Sequence, residues 1–271
     1  MNVQYLISIW ITFICFGIKA QTGCEISNKP FQDGELLTYN VSYDWGFITL
    51  NAGEVVFEVN EENKFDNRVY HLEGTGRTYE NYDWMYKVRD KYDTWVDTTD
   101  LSTFLFYRTA NEGGKKYANY YTFNREIDSI YTKSITEKET VYDTLAYENC
   151  LFDVLSLVYY CRTIDFTSLE LNQKIPLTLI LDGKRTEIYV RYLGTELQEI
   201  EDIGTFNTVK FSALLIEGAM FSGGEDMYIW LTDDKNRFPV RVQADILIGS
   251  VNAILKEYSS LKYPLTSIIN E

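Results

Sequence analysis

One histidine, four cysteines and four prolines are spread through 271 residues, and each scarcity closes off a class of chemistry. His71 alone cannot supply a histidine-based zinc centre, and scattered cysteines do not make a zinc knuckle. A Ser-His-Asp site would need an acid and a nucleophile brought to His71, and no G-x-S-x-G elbow is present to bring them. Gly74-Thr75-Gly76 lacks the third glycine and the following helix of a dinucleotide fingerprint, and there is no P-loop. Basic residues are also few, 25 against 40 acidic ones. The resulting formal charge of −15 repels phosphate backbones and anionic lipid, so nucleic acid is a poor partner. No Pro/Gly/Ser-rich stretch divides the chain, which leaves no linker between domains. Long apolar runs are missing as well. The longest, Tyr5 to Ile18, falls short of the ~20 residues that span a bilayer.

That short run is followed by Lys19-Ala20-Gln21 and fits a secretory signal. Residues 1–20 are therefore expected to be a signal peptide and residues 21–271 a single domain, with no integral span after cleavage. Gln21-Thr22-Gly23-Cys24 is a faint lipoprotein box without the aliphatic residue three before the cysteine. Cys24, Cys150 and Cys161 remain after cleavage, so at most one internal bridge forms. The last two fall in one expected helix, 11 residues apart. That spacing is about 16 Å, too far for a disulfide. The expected bridge is Cys24–Cys150, with Cys161 free and buried.

What the chain does have is period-two alternation. Leu37, Tyr39, Val41 and Tyr43 share one face of a strand, and Val55, Phe57 and Val59 one face of the next. Further alternating runs follow, punctuated by Asn111-Glu112-Gly113-Gly114 and by the two-residue hairpin signal Asp182-Gly183. Gly74 and Gly76 share a face, removing side chains where a sheet bends or another backbone approaches. From Cys150, Leu151, Val154, Leu155, Val158 and Cys161 fall instead at helical spacing, with Asn149 as the expected N-cap and Asp153 in the first turn. The fold class is mainly β: about a dozen strands in a curving sheet, plugged or flanked by one packed helix.

Candidate functional residues are sparse. On the strand through Val88–Val96, Asp90 lies on the apolar face with Val88 and Tyr92. A buried carboxylate must be paired. The two readings are an internal ion pair, with Arg108 first and Arg77 second, and a polar anchor in a ligand cavity. Trp45, Trp84, Tyr86 and Trp95 cluster in sequence and would suit a sugar-stacking or lipid-binding lining, or else simple sheet filling. The candidate ligand-binding set is Trp45, Trp84, Tyr86, Asp90, Tyr92 and Arg108. His71 is expected to be exposed. Asp233-Asp234-Lys235-Asn236 is expected to be a solvated turn, because it lacks the alternation and bidentate Glu of a calcium loop. No catalytic residue, metal or cofactor is called for, although carboxylates alone suffice for glycoside hydrolysis.

The stretches GELLTYNVSY, Asn51-Ala52-Gly53-Glu54 and KVRDKYDTWVD, with a Cys-x-x-Asp-x-x-Ser helix (Cys150, Asp153, Ser156) and Pro239-Val240, together resemble an uncharacterised family of exported bacterial proteins, domain of unknown function 3108. The resemblance covers about Gly34 to Tyr258. It implies a long antiparallel meander sheet rolled into a barrel-like or half-barrel shape, located in the periplasm or outer envelope of a Gram-negative bacterium. It carries over no catalytic residues. Three functions compete. The favoured one is a binding or scaffold protein with an apolar or glycan ligand in its curved sheet. The others are an assembly factor working through a protein surface and a carboxylate-dependent glycan hydrolase. A deep aromatic cavity marks the first, a filled barrel with an exposed apolar patch the second. Two carboxylates facing each other at about 5 to 9 Å mark the third.

Overall fold

Alternation at period two runs through nearly the whole chain, and the structure, a computed structural model, turns it into one sheet. It describes residues 26, 28–64, 66–215, 223–246 and 248–269. The first meander comprises β1 (Leu36–Trp45), β2 (Ile48–Lys64), β3 (Asn67–Thr78), β4 (Val88–Asp97), β5 (Thr103–Glu112), β6 (Lys115–Asn124), β7 (Ser129–Ile135) and β8 (Thr140–Ala146). Two short elements follow, β9 (Leu151–Phe152) and α1 (Val154–Cys161). The second meander comprises β10 (Lys174–Leu181), β11 (Lys184–Ile200), β12 (Gly204–Leu215), β13 (Gly224–Thr232), β14 (Pro239–Asp245) and β15 (Ser250–Ser259), and β16 (Ile268–Ile269) joins the start of β12. β1 pairs with β15, so the two meanders form a single sheet running from β8 at one edge to β9 at the other.

Those two edges are successive in the chain. Only Tyr147–Cys150 separates β8 from β9, so the sheet must curl until its edges face each other. Contacts across the gap agree. The Asp182-Gly183 turn lies against β6 and β7, the Gly183 N–H donating to the Tyr121 hydroxyl at 2.9 Å. Both turn residues have positive φ, as a type I′ hairpin requires. The barrel is therefore nearly wrapped but not closed by hydrogen bonds.

Three apolar clusters fill it, each buried Leu, Val or Phe contributing about 1.5–3 kcal/mol. α1 lies between two of them. Leu155 and Tyr159 pack with Leu72, Val96 and Phe106, whereas Leu157 packs with Leu177, Val209 and Phe211. The third cluster, around Tyr39, Phe206, Trp230 and Leu255, lies beneath the β1–β15 seam. Gly74 is needed here, because a Cβ would sit 3.3 Å from the Phe57 ring and 3.5 Å from Leu155 of α1.

The helix begins later than its apolar spacing predicts. Leu151-Phe152 pair in parallel with β10, and the N-cap is Asp153, not Asn149. Asp153 and Ser156 form a capping box, and the buried Asp153 carboxylate also accepts from the Thr94 and Thr103 hydroxyls at 2.8 and 2.9 Å. Cys150 therefore precedes the helix, with a left-handed φ of 66°, and the helical-distance argument against a Cys150–Cys161 bridge does not hold. At the other end of α1, Arg162 is fully buried. Its guanidinium pairs with Glu35 at 2.6 and 2.9 Å, donates to the Asn236 carbonyl at 3.0 Å, and lies over the Phe31 and Tyr159 rings.

Candidate functional site

Besides the buried Glu35–Arg162 pair and the Asp153 cap, a group of inward-facing polar residues lies at the end of the sheet carrying the β1–β2, β3–β4 and β5–β6 connections. Alternation on β4 points Asp90 and Tyr92 inward with Thr94 and Val96, as the sequence implies. The register sets Tyr92 opposite Arg108, Asp90 opposite Ala110 and Val88 opposite Glu112, placing Arg108 and Glu112 diagonally on either side of Asp90. Arg108 pairs with Glu112 at 2.7 Å and reaches Asp182 at 3.5 Å, and its guanidinium lies 5.4 Å from the Tyr92 ring centre. It is not the direct partner of Asp90. That carboxyl accepts from the Asn111 N–H at 3.2 Å and lies near Glu112. Burial and then the neighbouring Glu112 push Asp90 up to about 7, opposed by Arg108 and the Asn111 N–H. The arginine Nε and the Asn111 side-chain oxygen are buried without a partner.

Tyr86 closes over this cluster, its ring against the β5–β6 turn. A Cβ on Gly113 would sit 2.7 Å from it, and the turn residues Gly113 and Gly114 both have positive φ. Four of the six candidates, Tyr86, Asp90, Tyr92 and Arg108, are thus brought together. Sequence reasoning missed Glu112 as the fifth member, although Arg108-x-Ala110-x-Glu112 alternates onto the same face. Trp45 and Trp84 are not in the cluster. They stand in solvent at the same end, 59% and 82% exposed, beside Phe47 at 103%. Met85 and Ile248 are exposed with them.

Two depressions lie at the opposite end: a crevice of about 780 Å³ between the Glu199–Thr205 turn and β16, and one of about 460 Å³ around Asn28, Arg68 and Lys262. Both are lined by turn residues and neither contains a member of the cluster.

On the outer face, His71 is half-buried rather than exposed. Its ring stacks on Trp95 at 4.3 Å and its Nε2 lies 3.0 Å from Asp93. His71, Glu73 and Asp93 converge closely enough to hold a metal ion, but the Lys91 ammonium is already paired with both carboxylates at 3.2 and 3.0 Å. Asp234 is engaged within its own turn, accepting from the Asn236 N–H at 2.9 Å and from Ser267. Cys161 is a free thiol, half-buried in the second apolar cluster and pushed up to about 12 by burial. Cys24 lies outside the described residues, as does the expected signal peptide. Among the described residues no helix is long and apolar enough to cross a membrane.

The family model described as protein of unknown function (DUF3108) matches residues 38–256. A beta-barrel-like protein of the domain of unknown function DUF1849 from Brucella abortus shares the fold, with a TM-score of 0.50 at 12% identity, covering 84% of this chain and 98% of that one. A candidate lipoprotein from Parabacteroides distasonis aligns at a TM-score of 0.33 and 11% identity, covering 85% of this chain and 97% of its own. No curated protein matches.

Proposed function

The chain belongs to the DUF3108 family, and on that premise we propose that it is an exported, non-enzymatic envelope protein that binds its target at the β1–β2 end of the sheet rather than in an enclosed cavity. The observation that carries this is the segregation of the molecule. The interior is filled by three clusters and α1, while Trp45, Phe47 and Trp84 stand exposed at one end, beside the inward-facing Asp90–Glu112–Arg108 cluster. Export is supported by the Tyr5–Ile18 run and by the odd cysteine set, in which Cys24 would bridge Cys150 and leave Cys161 reduced. Amide hydrogen exchange tests the reading. In envelope extract, compared with purified protein, protection is expected at residues 45–48 and 82–88. Protection confined to the opposite end, at residues 199–205, overturns it.

A second reading is favoured by the unpartnered Arg108 Nε. Under it, the cluster at this end holds the polar, glycan-like head of a ligand. Native mass spectrometry of protein from its own envelope would then show a bound mass that disappears in Asp90→Ala.

A further inference from the structure

We infer that the exposed aromatic end is a membrane-docking rim, whose partner is the interface of a lipid bilayer with uncharged headgroups. This rests on the reading that the protein works through this end. Its basis is the placement of Trp45, Phe47, Trp84, Met85 and Ile248. They sit on three connections, β14–β15, β1–β2 and β3–β4, that are neighbours along the sheet. The β14–β15 turn is fastened to the next strand, the Tyr43 hydroxyl donating to the Ile248 carbonyl at 2.8 Å. The β1–β2 hairpin continues past the end of β3, whose Thr78 is already opposite Gly53. The overhang of five residues is about 17 Å of strand.

At the tip is a two-residue turn, Gly46-Phe47, with Gly46 at φ 60° as a type II′ hairpin requires. The second turn position tolerates any small polar residue, so nothing local calls for phenylalanine. Packing does not call for it either, since the ring is wholly in solvent. A protein partner is normally met by a contiguous, fairly flat patch. Here the apolar groups are separate projecting tips of Trp, Phe, Met and Ile, the pattern that enters the headgroup layer to a shallow depth.

The rim end is mixed in charge. There Asp83 is held by Arg89 at 2.8 Å and Asp44 accepts from Asn252 at 2.7 Å, while exposed Lys87, Lys115 and Lys116 stand against exposed Glu80, Glu137, Glu139 and Asp245. The connections at the opposite end instead expose Asp66, Asp100, Glu126, Asp128, Glu201 and Asp202. The rim-down pose keeps that acidic end far from the lipid, beyond the Debye length of about 8 Å.

The test is flotation of the whole exported protein with phosphatidylcholine vesicles, at low and high salt, for wild type, Phe47→Ser with Trp84→Ser, and the control Leu197→Ser on β11. Wild type and control are expected to float at both salt concentrations, with blue-shifted tryptophan emission quenched by brominated lipid. The double variant should melt like wild type and bind about tenfold more weakly or worse. Absence of flotation overturns the inference, as does equal flotation of the double variant, which would assign binding to the amino-terminal segment. Rim-dependent self-association without lipid binding overturns it in favour of a second copy. If residues 45–48 and 82–88 are still protected in envelope extract while vesicles fail to bind, the inference falls and the proposed function stands.

Discussion

Arg162 and Glu35 form a buried ion pair that the sequence reading does not single out, its one expected pair being Asp90 with Arg108. Both are almost completely buried, and the arginine also serves the Asn236 carbonyl. Removing one partner strands the other, so Arg162→Ala should cost about 3–5 kcal/mol. Glu35→Leu with Arg162→Met should recover part of that loss in urea melts. At Asp90 the prediction concerns pH. Its folded-state value, about 7, lies above the unfolded one, so the folded protein holds an extra proton between the two values. The contribution is fully present below the unfolded value and is lost as pH rises through about 7. Asp90→Asn should therefore flatten the fall in stability from pH 5 to pH 8. Discounted for partial exposure, the gain at pH 8 should be about 1 kcal/mol, or 2–4 °C in Tm. A variant whose stability falls as steeply as wild type would show Asp90 to be ionised throughout. The inward direction of Asp90 was legible from alternation with Val88 and Tyr92. Its nearness to Glu112 was not, because diagonal neighbours depend on the β4–β5 register, which one strand's pattern does not contain.

At the level of elements, the helix was legible and its start was not. The stripe Val154, Leu155, Val158, Cys161 extends back to Leu151, so spacing alone runs the helix too far. The parallel pairing of Leu151-Phe152 with β10 ends it at Asp153. Asp153→Ala removes a cap worth ~0.5–2 kcal/mol and leaves the buried Thr94 and Thr103 hydroxyls without their shared acceptor. A total loss of about 2–4 kcal/mol is expected by denaturant titration, with Asp153→Asn much milder. The disulfide belongs to this scale too. Cys161 sits among apolar side chains with its thiol pushed up to about 12, making it a poor partner in exchange. Exported protein labelled in denaturant without reduction should carry one modified thiol, at Cys161. Three modified thiols would exclude the Cys24–Cys150 bridge, whose loop of more than a hundred residues would be worth about 4–5 kcal/mol.

For the whole molecule, the succession of hairpins was written in the turn residues, but the seam between the first strand and the last long one was not. Leu36 lies opposite Ser259, and no local signal marks that pairing. During synthesis and export the first half can complete its meander while β1, at its edge, waits for a partner over two hundred residues behind it. Such distant closure makes folding slow and leaves an unsatisfied strand edge exposed in the meantime. Newly secreted chain is thus at its most aggregation-prone just before its last strands arrive, and any factor that shields the free side of β1 over that interval would set the yield of native protein.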